Sequence, residues 1–123
     1  MHHPYGGHVS PSVCPRREVF KLPAGADPLA FSGLVLAQVG YNAGMRAPVA
    51  PGEGAVVVGD GLVGQWTAQT LARRGARVLL VGRHADRLAR FAPWGGAHVV
   101  DAGQEEWTAA ARRRFPGGAA VAV

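Results

Sequence analysis

The apolar run Ala55-Val56-Val57-Val58 leads straight into Gly59-Asp60-Gly61-Leu62-Val63-Gly64, and similar apolar runs recur beyond it at intervals a helix can fill. This recurrence narrows the fold more than any other feature. A strand that is apolar at every position suits a sheet covered on both faces. Leu62 to Arg74 then reads as a helix, basic in its last turn and ended by Gly75. Arg77 to Val81 (RVLLV) predicts a second buried strand, and Asp86 to Phe91 a short helix. Ala97 to Val100 (AHVV) predicts a third strand. Glu105 to Phe115 is a helix with acid early and arginine late, which suits its dipole, and Ala119 to Val123 (AAVAV) is a fourth strand.

Strands alternating with helices imply a parallel sheet built through right-handed crossovers. The expectation is an α/β chain holding a partial doubly wound (Rossmann) parallel sheet of about four strands, in an order beginning 3-2-1-4. The residues ahead of it read differently. Residues 1–25 are rich in Pro and Gly, and Glu18 to Pro23 (EVFKLP) looks like a short strand stopped by proline. Asp27-Pro28 is a helix start, with a capping side chain and then proline at the first helical position. That helix is expected to run to about Gly44, carrying Leu29, Phe31, Leu34, Val35 and Gln38 on successive turns; Pro48, Pro51 and Gly52 then break the chain.

At 123 residues the chain is one small domain or a piece of something larger. No run approaches the roughly 20 apolar residues of a membrane-spanning helix. The N-terminus lacks the basic-then-apolar order of a secretory signal. The single cysteine, Cys14, excludes an internal disulfide and a cysteine-based zinc cluster; it suits a reducing cytoplasm and reads as structural. The net charge of +5 is carried by twelve Arg and one Lys. These are scattered over expected helix ends and solvent faces with no groove-reading motif, so nucleic acid is not an expected partner. His2, His3 and His8 read as a solvated terminus, Trp66 as core or sheet-facing, and Trp94 and Trp107 as packing residues. Glu105 and Glu106 read as a helix start, not a catalytic pair.

Each glycine of the loop has a separate task in this setting. Gly59 permits the tight turn out of the strand, Gly61 lets a pyrophosphate approach the backbone, and Gly64 lets the helix pack against the strand. The helix start at Leu62, Val63 and Gly64 offers unpaired N–H groups to an anion. Asp60 opposes this unless its carboxylate turns away. The alternative is a glycine-rich turn with no ligand. The second strand ends in Val81-Gly82-Arg83-His84, where an NAD-type site would hold an acid on the ribose hydroxyls. The acid is absent and a guanidinium follows, which favours NADP over NAD, with Arg83 as main contact to the 2′-phosphate and His84 and Arg87 as helpers. A solvated basic loop is the plainer alternative.

With the residues before them, these motifs resemble the medium-chain dehydrogenase/reductase superfamily, the alcohol-dehydrogenase-like proteins. Tyr5-Gly6-Gly7-His8 looks like its GG-H/F-A-E-Y segment, and EVFKLP like the strand closing its small GroES-like domain. Gly40-Tyr41-Asn42-Ala43 looks like its TGYNA segment, and Pro51-Gly52-Glu53 with VVVGDGLVG like PGE-VLVxGxGxVG. Ala72 to Val81 and Gly96 to Asp101 (GAHVVD) look like its second and third strands. The resemblance implies three parts: a remnant of the GroES-like domain (1–26), a linking helix and break (27–50), and a partial dinucleotide-binding domain (51–123). It implies an NAD(P)-dependent oxidoreductase, moving hydride between the nicotinamide and an alcohol, carbonyl or activated alkene. It also implies truncation at both ends. The zinc-ligand segments of the family would lie upstream of residue 1, and Val35 and Val39 stand at the positions of a further ligand and of the TGYNA threonine, so no zinc is expected in this chain. The rival reading is a non-catalytic interaction module, pairing the exposed edge of AAVAV with a second chain as a homo-oligomer.

Overall fold

A computed structural model describes residues 13–94 and 98–123. The chain divides into two compact units, 1–31 and 32–123. In the first, the described residues hold a 3-10 turn at Arg16–Glu18 and the start of helix α1 (Pro28–Ser32). The Asp27 side chain accepts from Leu29 N at 2.9 Å, as the capping reading requires. The strand expected at Glu18 to Pro23 does not form. Val19 and Phe20 are exposed, and among the described residues no strand lies beside them to complete a ladder. An isolated extended run has no partner for its N–H and C=O groups, so nothing holds it as a strand.

The second unit contains the alternating pattern. Helix α2 (Leu34–Arg46) is followed by β1 (Gly54–Val58), α3 (Leu62–Arg73) and β2 (Arg77–Gly82). Then come α4 (Ala85–Ala89), β3 (His98–Asp101), α5 (Trp107–Arg114) and β4 (Val121–Ala122). The four strands form one parallel sheet in the order β3-β2-β1-β4. Ala55 lies opposite Val78 on one side and Val121 on the other, and Leu80 opposite Val99. Alternate residues of the inner strands feed two cores. Ala55, Val57, Val78 and Leu80 pack with Ala68 and Leu71 of α3 and with Leu88 and Phe91. Val56, Leu79, Val81 and Val100 pack with Ala110 and Phe115 on the other face. Burial on both faces is why these strands carry no polar alternation.

The single helix expected from Pro28 to Gly44 is two helices, divided at Gly33. Its buried side is also not the expected one. Leu34 and Val35 are more than half exposed, whereas Gly40 and Gly44 are buried. The glycines admit α3: a methyl on Gly44 would lie 2.6 Å from Thr70 Cβ, and one on Gly40 2.7 Å from Trp66 Cβ. Arg74 ties the end of α2 down, donating to the carbonyls of Gly44, Ala47 and Val49 at 2.5, 3.0 and 3.0 Å. Trp66 is 41% exposed and lines a hollow with Tyr41 and Met45, so it is not the core or sheet-facing residue expected. Its position on α3 puts it on the side turned to α2, away from the strands. Glu106 caps α5, accepting from Thr108 N and Ala109 N at 3.1 and 2.6 Å, and Glu105 pairs with Arg113. No helix among the described residues is long and apolar enough to cross a membrane.

Candidate functional site

β1 ends at Val58 and the backbone turns at Gly59, whose φ of 127° is one that residues with a Cβ rarely adopt. Gly59 N donates to Val81 O at 2.8 Å, which fixes the turn against the end of β2. Gly61 caps α3, its carbonyl accepting from Gln65 N at 2.9 Å. Gly64 sits on the turn so closely that a methyl there would overlap the Gly59 carbonyl oxygen and come within 2.8 Å of its carbon. A methyl on Gly61 would meet nothing within 4 Å. Of the three glycines, then, one makes the bend, one permits the packing, and one leaves the face of the turn open.

That open face lies where the strand order reverses, between β1 and β4. Here a hollow of about 350 Å³ is lined by Val58, Gly59, Gly61, Leu62, Gly64 and Val123. A second hollow, about 280 Å³, lies on the β2 side of the same turn and is lined by Gly59, Asp60, Gly82, Arg83, His84 and Trp107. Crevices beyond the carboxyl ends of parallel strands, at such a reversal, are where this architecture accepts ligands. A larger hollow of about 500 Å³ between α2 and α3 shares no residue with the turn. Leu62, Val63 and Gly64 thus line the first hollow, and Gly82, Arg83 and His84 the second.

Asp60 joins the two halves of the site. It is 7% exposed and turned toward the end of β2. Its carboxylate accepts from Arg83 N at 2.8 Å and His84 N at 2.7 Å, and both oxygens lie 3.0 Å from His84 Nδ1. Arg87 Nη1 stands 3.8 Å away. Burial pushes this carboxyl up, but the Arg83 N–H, the His84 ring and the His84 N–H together hold it below its ordinary value. Gln65 Nε2 donates to the Arg87 carbonyl at 2.7 Å, fastening α4 to α3. The structure therefore collects Arg83, His84 and Arg87 around one buried carboxylate. Sequence reading missed this role of Asp60. The available signal was an acid inside the glycine loop paired with a missing acid at the strand end. Trp107, read as packing, also lines the second hollow, and nothing in its spacing announced that.

The turn fits a dinucleotide: its open face is bare backbone, and the neighbouring loop carries cations. Among the described residues Val35 bears no ligating atom and no three His, Cys, Asp or Glu side chains converge, so these residues do not fit a zinc ion. Tyr5 to His8, His2 and His3, and Gly96 and Ala97 lie outside the described residues.

A parallel sheet ordered 3-2-1-4, with a glycine turn opening the helix after its central strand, defines the dinucleotide-binding class of doubly wound folds. No protein-family model matches the chain. It is 31% identical over 112 residues to YdjJ, an uncharacterized zinc-type alcohol dehydrogenase-like protein of Escherichia coli K12, covering 90% of this chain and 32% of the relative. The alcohol dehydrogenase of Thermus sp. ATN1 superposes with a TM-score of 0.62 at 29% identity, over 79% of this chain and 29% of that one. The 2R,3R-butanediol dehydrogenase of Bacillus subtilis gives 0.66 at 26%, over 84% and 30%. The benzyl alcohol dehydrogenase of Acinetobacter calcoaceticus, 24% identical, shares the fold with a TM-score of 0.72 over 83% and 29%. These likenesses support an alcohol-dehydrogenase-like, medium-chain dehydrogenase/reductase superfamily for the chain, which spans about a third of the length of the curated relative it matches.

Proposed function

We propose that this chain binds NADP(H), as the nucleotide-binding portion of an alcohol-dehydrogenase-like oxidoreductase. One juxtaposition supports the reading above all. The open glycine turn at the start of α3 adjoins a strand end where Gly82 stands in place of an acid and Arg83 and Arg87 supply cations beside His84. Gly59, Gly61 and the N–H groups of Leu62, Val63 and Gly64 would hold the pyrophosphate against the positive end of the helix. Arg83, with His84 and Arg87, would hold the 2′-phosphate. Bound NADPH would supply hydride to a carbonyl or activated alkene. Residues 1–26 and 27–50 keep their assignment as domain remnant and linking helix in this reading, and substrate-polarising groups are not among the residues assigned.

A charge-assisted hydrogen bond contributes about 1.5–3 kcal/mol, so the 2′-phosphate should favour NADPH over NADH by about 10- to 100-fold. Isothermal titration with NADPH, NADH and 2′,5′-ADP tests this. Binding of the first and third, with NADH much weaker, supports the reading. Equal affinity for NADH removes the NADP preference. Silence from all three removes the cofactor reading and favours the interaction module, which the placement of β4 at the sheet edge supports.

A further inference from the structure

We propose that Asp60 is a specificity-determining positioning residue, which takes the room a side chain at position 82 would need and pins the loop that presents Arg83. The inference rests on the cofactor reading above and deepens it, naming what makes the site choose the 2′-phosphate. Two observations carry it. First, the space beside Gly82 is filled by Asp60: a methyl on Gly82 would come within 2.5 Å of Asp60 Cβ and closer still to its carboxylate. The carboxylate is at the strand end, but it arrives from the glycine loop. Second, that carboxylate is already committed. It accepts from the N–H groups of Arg83 and His84 and from the His84 ring, faces Arg87, and is almost wholly buried. A ribose hydroxyl would have to compete with these donors for a carboxylate that has little exposed surface.

An acid on strand 2 itself would point its free oxygens at the ribose and repel a 2′-phosphate. Asp60 instead spends its charge inside the protein, on two backbone N–H groups and the His84 ring, with Arg87 of α4 at 3.8 Å. The loop is thereby held by two backbone hydrogen bonds, and Arg83 on it is exposed. Gly82 and Asp60 are consequently a coupled pair. Either position can carry the carboxylate, but the room admits only one.

The test measures affinities for NADPH and NADH, with melting temperature alongside, in Asp60→Ala, Asp60→Asn, Gly82→Ala and the double variant Asp60→Ala/Gly82→Asp. Asp60→Ala should lower the NADPH-to-NADH preference at least fivefold. Asp60→Asn, which keeps an acceptor for the two N–H groups, should restore most of it. Gly82→Ala displaces the carboxylate without removing it and should also lower the preference, so it reads the same contact should Asp60→Ala not fold. The double variant should favour NADH. A preference unchanged in Asp60→Ala and Gly82→Ala, with only the melting temperature lowered, overturns the inference and leaves the cofactor reading standing. A double variant still favouring NADPH overturns it likewise. If the unmodified chain binds neither nucleotide, the cofactor reading fails first and this inference with it.

Discussion

Gly40→Ala sets two effects of opposite sign against each other. In the interior of α2, alanine is favoured over glycine by about 1 kcal/mol on helix propensity alone. The new methyl, however, would point at α3, 2.7 Å from Trp66 Cβ, 3.1 Å from Thr67 N, and nearer still to the Val63 carbonyl oxygen. Backbone and a Cβ cannot swing aside as the tip of a flexible side chain can. To reach ordinary contact near ~3.5 Å, α2 must withdraw by roughly 1 Å. The 3.1 Å hydrogen bond from Thr67 Oγ1 to the Gly40 carbonyl would then be lost, at about 1 kcal/mol. Overpacking of a tight contact costs a further 1–3 kcal/mol or so. Subtracting the propensity gain leaves about 1–3 kcal/mol of destabilisation, so sterics win. For a chain of this size that lowers the melting temperature by roughly 4–12 °C. Thermal unfolding followed by circular dichroism reads the shift. Gly117→Ala is the control, because a methyl there meets nothing within 4 Å, and it should change stability by no more than about 0.5 kcal/mol. A Gly40→Ala chain melting at or above the unmodified one would refute the close helix contact.

Two further outcomes follow from the cores and the buried acid. Phe115 is 2% exposed, its ring covers Gly54 and sits 5.4 Å from the Arg77 guanidinium, so Phe115→Ala should cost about 3–5 kcal/mol in urea unfolding; a loss under about 1 kcal/mol would show that face to be loosely packed. Asp60 is held below its ordinary pKa, so its contribution is complete above the normal carboxylate range and is lost as pH falls through its folded value. The melting temperature of Asp60→Asn should therefore fall less between pH 7 and about pH 3 than that of the unmodified chain, and parallel falls would refute the assignment.

The strands and their order were legible because burial on both faces leaves a mark that one residue cannot hide. Ala55 to Val58 and Val78 to Val81 are apolar throughout, and both sets of alternate residues find a core. Helix α2 was misread for the opposite reason. Its periodic Leu and Val positions suggested a buried stripe, yet α2 meets α3 through Gly40 and Gly44, where the helices approach too closely for any side chain. Hydrophobic periodicity records which side chains can be buried, and it is blind to a contact made by backbone. The segment at Glu18 to Pro23 failed for want of a neighbour. Its composition suits a strand, but a strand is a property of two chains of hydrogen bonds, and the second is not among the described residues.

The candidate site shows the same limit in its charges. Counting residues along the chain puts Asp60 inside the glycine turn, where an outward carboxylate about 6 Å from a diphosphate would cost on the order of 3 kcal/mol at an effective dielectric near 20. On that count the turn opposes an anion. In three dimensions the carboxylate is rotated to the strand-2 loop, where two backbone N–H groups and a histidine ring meet it and Arg87 stands close by. Its field at the open face of Gly61 is then offset by partners at about half the distance. The sign of a residue's effect on a bound phosphate therefore depends on which groups its charge has already satisfied. Gly82 is what allows that rotation, since any side chain there would close the space the carboxylate occupies. The absent acid on strand 2 and the unexpected acid in the glycine turn are in this sense one feature, separated by 22 residues of chain and brought together by the parallel pairing of β1 with β2.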